Sequence, residues 1–90
     1  MIIKSADNNK FKIYKSLLNK KGINQHSLCL VMGRKIAPEY INHQSVVEII
    51  ATENNCQHIN SNALIVFLQK NLFNQIDITG TDFPLSLIHI

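Results

Sequence analysis

Residues 28–41 read "LCLVMGRKIAPEYI": five apolar residues, then Gly33 followed by two cations, Arg34 and Lys35. A strand that runs through glycine and cations into a helix is one way a chain holds phosphate. The first backbone N–H groups of a helix lack intrahelical partners, and the helix dipole favours an anion there. The nucleotide-loop patterns G-x-x-x-x-G-K-[ST] and G-x-G-x-x-G both need further glycines, so a single glycine argues against a nucleotide loop. What remains is a contact for a nucleic-acid phosphate at Arg34 and Lys35, weighed against a surface turn whose cations are merely solvated.

Other site chemistry is thinner. A metal would have to use Cys56 and His58 with His26, His43 or His89, but no C-x-x-C or H-x-x-x-H spacing is present and no metal is expected. A nucleophilic cysteine needs a neighbouring base, whereas Cys29 falls inside an apolar run that reads as a central strand, where a thiol is packing. The six acids are scattered and form no close pair for general acid–base work. The chain itself is expected to carry neither catalysis nor a cofactor.

Charge is more informative. Eight of the nine Lys and Arg residues lie in the first 35 positions against one acid, a net of +7, while the other 55 residues carry one lysine against five acids, a net of −4. Such a field favours a polyanionic partner on one side of the molecule. Ninety residues make one domain, and 46% hydrophobic with 17% charged residues is an ordinary globular balance. No apolar run approaches the roughly 18 residues of a membrane span, and the N-terminus does not read as a signal peptide. A cytoplasmic protein with reduced thiols and no membrane partner is expected.

These residues need elements to position them. Asp7 followed by "NNKFKIYKSLLNKKG" predicts one helix, capped by Asp7 and closed by Gly22, with lysines in its last turn. On a helical wheel Phe11, Ile13, Tyr14, Leu17 and Leu18 share one side, with Lys12, Lys15, Ser16 and Asn19 opposite and Lys20 at the border. Residues 28–32 predict a strand covered on both faces. Residues 33–43 predict a short helix with Pro38 in its first turn, and 46–51 a β-branched strand. The polar run 52–62 reads as a loop whose eleven residues barely meet the dozen or so of a parallel crossover, which leaves the direction of the next strand, 64–68, open. A helix over 70–76 with Leu72, Phe73 and Ile76 inward, a turn at 79–82, and a strand after Pro84 complete the chain. The expected fold is α/β: an α/β/α sandwich on a four-stranded, mostly parallel or mixed sheet.

Three strings within this order, "NKFKIYKSLLNKKGINQHSLCLVMGRKIAPEYI", "LIVFLQKNLFNQID" and "TGTDFPLSLIHI", resemble the N-terminal domain of the SpoU/TrmH family of RNA ribose 2′-O-methyltransferases. The first matches a lysine-rich helix leading to a strand that ends in glycine, the second a strand and short helix with a Leu-Phe pair, and the third the closing turn and strand. The chain departs from that pattern at Met32, where the family usually has a glutamate, at Gly22-Ile23-Asn24, where it often has an arginine, and in a shorter loop after residue 51. The resemblance implies a small module, similar to kink-turn-binding ribosomal proteins, that helps recognise ribosomal or transfer RNA. It also implies that S-adenosylmethionine binding and methyl transfer belong to a separate C-terminal domain, so that residues 1–90 are the N-terminal part of a longer methyltransferase.

On this reading Lys12, Lys15, Lys20 and Lys21 from the first helix, with Arg34 and Lys35, meet the RNA backbone. The alternative is a protein-interaction module that docks on a catalytic domain or partner through apolar surface near "LSLIHI", without RNA.

Overall fold

The first helix starts where an amide side chain can satisfy free backbone donors. Asn8 is extended, and its Oδ1 accepts from the N–H of Lys10 at 2.8 Å and of Phe11 at 3.3 Å, opening α1 (Asn9–Ser16). Asp7, the expected cap, instead donates its N–H to Ser5 Oγ at 3.2 Å. The computed structural model describes residues 2–32, 45–56, 64–80 and 82–90.

The single helix expected as far as Gly22 is in fact two. Ser16 Oγ donates to the Ile13 carbonyl at 2.6 Å, a local bond that competes with the helical ladder. The N–H groups of Leu18 and Asn19 reach only three residues back, to Lys15 and Ser16, and Asn19 is extended. The chain then re-enters a helix, α2 (Lys20–His26). Gly22 therefore lies inside α2 and is not a cap. A Cβ there would stand 2.0 Å from the Ser16 carbonyl oxygen, so only glycine allows α2 to cross the end of α1 so closely. The cap role falls to Ser27, left-handed at φ 55°, whose N–H returns to Ile23 O at 2.9 Å.

The strands are β1 (Ile2–Ile3), β2 (Leu28–Val31), β3 (Val46–Ala51), β4 (Leu64–Leu68) and β5 (Leu85–His89), with α3 (Lys70–Ile76) between the last two. They form one mixed sheet in the order β1-β4-β3-β5-β2. β4 is parallel to both β1 and β3, and β5 is antiparallel to both β3 and β2. The expected α/β sandwich stands, with five strands among the described residues in place of four. The added strand is β1, and its two residues are too few to leave a period in the sequence. The open question about 64–68 is answered by the register Ile49 to Ile65 and Ile50 to Val66, a parallel pair. The helix expected over 33–43 lies outside the described residues.

β2 corrects a second expectation. It occupies the end of the sheet beside β5, and all four of its residues are half-buried instead of covered on both faces. A continuous apolar run does not distinguish an end strand from a central one, because strand order is set by which neighbours the remaining chain supplies.

One face of the sheet meets α1 and α3. Phe11, Tyr14 and Leu17 from the first helix and its end, and Leu72, Phe73 and Ile76 from α3, join Ile3, Ile50, Val66, Leu68, Leu85 and Leu87 in one apolar core. On the other face Ile49, Ala51 and Ser86 are fully buried, so the centre of the sheet is covered on both sides.

Candidate nucleic-acid interface

Burying Phe11 and Tyr14 forces the opposite stripe of α1 outward, and that stripe carries Lys12 and Lys15. Three residues apart, they line a surface depression of about 390 Å³ together with Ala6, Phe11, Ser16 and Asn19. Lys15 Nζ reaches the neutral Gln75 Oε1 on α3 at 3.2 Å, a bond that steadies the ammonium without cancelling its charge. Asn19 carries this surface on to α2, where Lys20 and Lys21 are exposed.

The break between the helices changes the meaning of Lys20 and Lys21. In one continuous helix they would occupy the last turn, where the macrodipole favours cations. They occupy instead the first turn of α2, which has no acidic residue and no side-chain cap. Cations at that end are disfavoured by the dipole, so the stability of α2 does not account for them.

The ion pairs among the described residues are Lys10–Glu48 and Lys70–Asp82. None of Lys12, Lys15, Lys20 and Lys21 is neutralised by a carboxylate within that set, and all four are exposed. Arg34 and Lys35 lie outside the described residues.

Sequence reasoning missed a buried polar cluster beneath this surface. Glu48, 4% exposed, sits among the apolar residues of β3; its Oε1 accepts from the Tyr14 hydroxyl at 2.6 Å, and Lys10 Nζ donates to its Oε2. Burial first, then the hydrogen bond to Glu48 and its negative charge, push the Tyr14 phenol well above its ordinary pKa. The visible signal was a lone carboxylate inside "VVEIIA", since a charge at a core position of a strand calls for a buried partner. This cluster ties α1 to β3 and holds the lysine stripe in place. Cys29, half-buried at the end of the sheet, has its thiol pKa raised by burial. No three His, Cys, Asp or Glu side chains come together among the described residues, and no described helix is long and apolar enough to cross a membrane.

The molecule is thus an α/β domain with an exposed lysine surface on α1 and α2 that no carboxylate neutralises among the described residues. No protein-family model matches the chain, and no curated protein matches it in sequence. Its fold is similar to that of an rRNA methyltransferase from Sinorhizobium meliloti, with a TM-score of 0.74 over 100% of this chain at 10% identity. The AdoMet-bound form of an rRNA methyltransferase from the same organism gives 0.72 over 99% at 10% identity. An RNA 2′-O ribose methyltransferase gives 0.73 over 99% at 14% identity. The chain spans 37%, 36% and 37% of those proteins, respectively. At such identities the likeness is one of fold.

Proposed function

We propose that this chain is the RNA-recognition domain of an S-adenosylmethionine-dependent 2′-O-methyltransferase acting on ribosomal or transfer RNA, and that it meets the RNA backbone through Lys12, Lys15, Lys20 and Lys21. Arg34 and Lys35 extend that surface in this reading. The observation that carries it is the pair of lysines at the dipole-disfavoured start of α2, continuous with the α1 stripe and without carboxylate partners among the described residues. The fold likeness to RNA methyltransferases supports the substrate class.

In this reading the chain is the N-terminal part of a longer enzyme. The cofactor belongs to the rest of that enzyme in this reading, and the lysine surface does not fit it. The depression on α1 offers a cationic sulfonium two lysines and no carboxylate. No step of methyl transfer is assigned to this chain.

If about five phosphates are met, the logarithm of affinity for a structured RNA falls against the logarithm of salt concentration with a slope of roughly −4.5, at about −0.9 per phosphate. Titration of fluorescently labelled hairpin RNA between low and physiological salt measures it. The double substitution Lys12→Glu/Lys15→Glu weakens binding and makes the slope shallower by about 2. Affinity that ignores both salt and these substitutions removes the proposal.

A second reading has one observation in its favour. Val47, Leu64 and Ile90 are exposed at the same end of the sheet, where β3 and β4 begin and β5 ends. Apolar residues there suit docking on a catalytic domain or partner, and this is compatible with RNA contact on the helical side.

A further inference from the structure

A larger depression, of about 430 Å³, lies on a different part of the molecule, where the parallel strands β1, β4 and β3 end. The carboxyl ends of parallel strands are where open α/β sheets most often build ligand crevices, and the volume falls within the roughly 300–1,000 Å³ of small-molecule sites. Its apolar floor is Ile2 beside its register partner Phe67. Ile2 is 52% exposed and Phe67 half-buried, so the aromatic ring borders open space. Two cations, Lys4 and Lys70, stand in the same lining, together with Glu53 and Asn71.

One wall is built firmly. The Thr52 N–H donates to Asn55 Oδ1 at 2.8 Å, and the Asn55 N–H returns to Thr52 Oγ1 at 3.3 Å. Asn55 Nδ2 continues to the Asp82 carbonyl at 3.2 Å, and Asp82 Oδ2 accepts from Lys70 Nζ at 3.3 Å. Both members of that last pair are about half exposed, with side-chain exposures of 54% and 45%. Such a pair contributes little, so Lys70 can turn to an anion at small cost.

We propose that this crevice binds a nucleotide. The base lies against Phe67 and Ile2, the phosphate is met by Lys4 and Lys70, and the carboxylate of Glu53 and the amide of Asn71 take the ribose hydroxyls and base edge. An apolar ring, two cations and a carboxylate within one crevice match the three parts of a nucleotide, whereas inorganic phosphate alone uses only the lysines. The site is separate from the lysine surface on α1 and α2 and does not depend on it. The nucleotide is either free or an unpaired residue of an RNA strand, both having the same chemistry.

The test is an NMR titration of the 90-residue chain with adenosine and uridine 5′-monophosphates, inorganic phosphate, S-adenosylmethionine, a six-nucleotide single-stranded RNA and a blunt RNA duplex. The expected result is saturable amide shifts at Lys4, Glu53, Phe67, Lys70 and Asn71 with the monophosphates, at least tenfold weaker with phosphate alone. Lys4→Glu, on the surface, weakens this response at least fivefold, and Phe67→Leu weakens it while a folded spectrum is kept. Tenfold tighter binding of the single strand at the same residues assigns an RNA nucleotide, and equal affinity assigns a free one. No shift at these residues, an equal response to phosphate alone, or tighter binding of S-adenosylmethionine overturns the proposal. Lys12→Glu/Lys15→Glu separates the two surfaces. If it abolishes duplex binding while no nucleotide enters the crevice, the RNA reading survives and this one fails; if nucleotides bind and no duplex does, the reverse holds.

Discussion

Glu48 shows how much one side chain organises. A carboxylate this deeply buried costs several kcal/mol unless it is paired and hydrogen-bonded, and the Tyr14 hydroxyl and the Lys10 ammonium meet both needs. Removing the hydroxyl with Tyr14→Phe leaves one carboxylate oxygen without its donor. It should cost about 1.5–3 kcal/mol, the range for hydrogen bonds to charged groups, read from the shift of the urea midpoint. The same residue gives a pH dependence. The raised pKa means the folded state holds the phenolic proton more tightly than the unfolded chain does. Stability from this source is complete below about pH 10, the ordinary tyrosine value, and falls as pH rises from there toward the higher folded value. Denaturation across pH 9 to 12 should therefore show a steeper alkaline loss in the natural chain than in Tyr14→Phe.

The junction between α1 and α2 depends on two residues with opposite requirements. Gly22 is needed for space, and Gly22→Ala must push α2 away from the Ser16 carbonyl, costing about 1–3 kcal/mol as an overpacked contact. Ser27 is left-handed at φ 55°, a conformation in which glycine escapes a penalty of about 1–2 kcal/mol. Ser27→Gly should accordingly raise stability, and the two variants together test whether α2 is placed by contact or by its cap. Lys20 and Lys21 give a prediction with two signs. Glutamates at the start of α2 suit its dipole, so Lys20→Glu/Lys21→Glu should stabilise the fold by about 0.3–1 kcal/mol per site. The same change should weaken RNA binding. Thermal melts and RNA titration on one preparation measure both effects. A loss of stability would show that these lysines serve the fold instead.

For the whole molecule, the charge asymmetry was plain in the sequence, and among the described residues the fold exposes four of those cations, Lys12, Lys15, Lys20 and Lys21, on α1 and α2. The apolar runs 46–51 and 64–68 and the inward residues of 70–76 could be read directly, because the apolar run or helical spacing that marks each element lies within a few consecutive residues. The lysine stripe of α1 was legible for the same reason, since burying Phe11 and Tyr14 fixes what faces out. The crevice around Phe67 was not legible. Its lining comes from Ile2 and Lys4 and from residues 52–54 and 67–71, which only the pairing of β1 with β4 and of β4 with β3 brings together. The two-residue β1 escaped notice because its stability comes from Phe67 and Leu68 across the sheet and not from its own sequence.

By itself the sequence determined the α/β class, most of the strands, the inward face of α1 and the gathering of cations in the first 35 residues, all governed by local periodicity and composition. Only the tertiary structure decided that β2 lies at the end of the sheet, that one helix becomes two, and that Glu48 finds Tyr14 and Lys10. Those outcomes turn on contacts between residues distant in the chain or on different elements: a glycine under a carbonyl oxygen, a strand choosing its neighbour, a carboxylate needing donors. The break at Asn19 moved Lys20 and Lys21 from the favoured end of one helix to the disfavoured end of another, where the stability of α2 does not account for their charge.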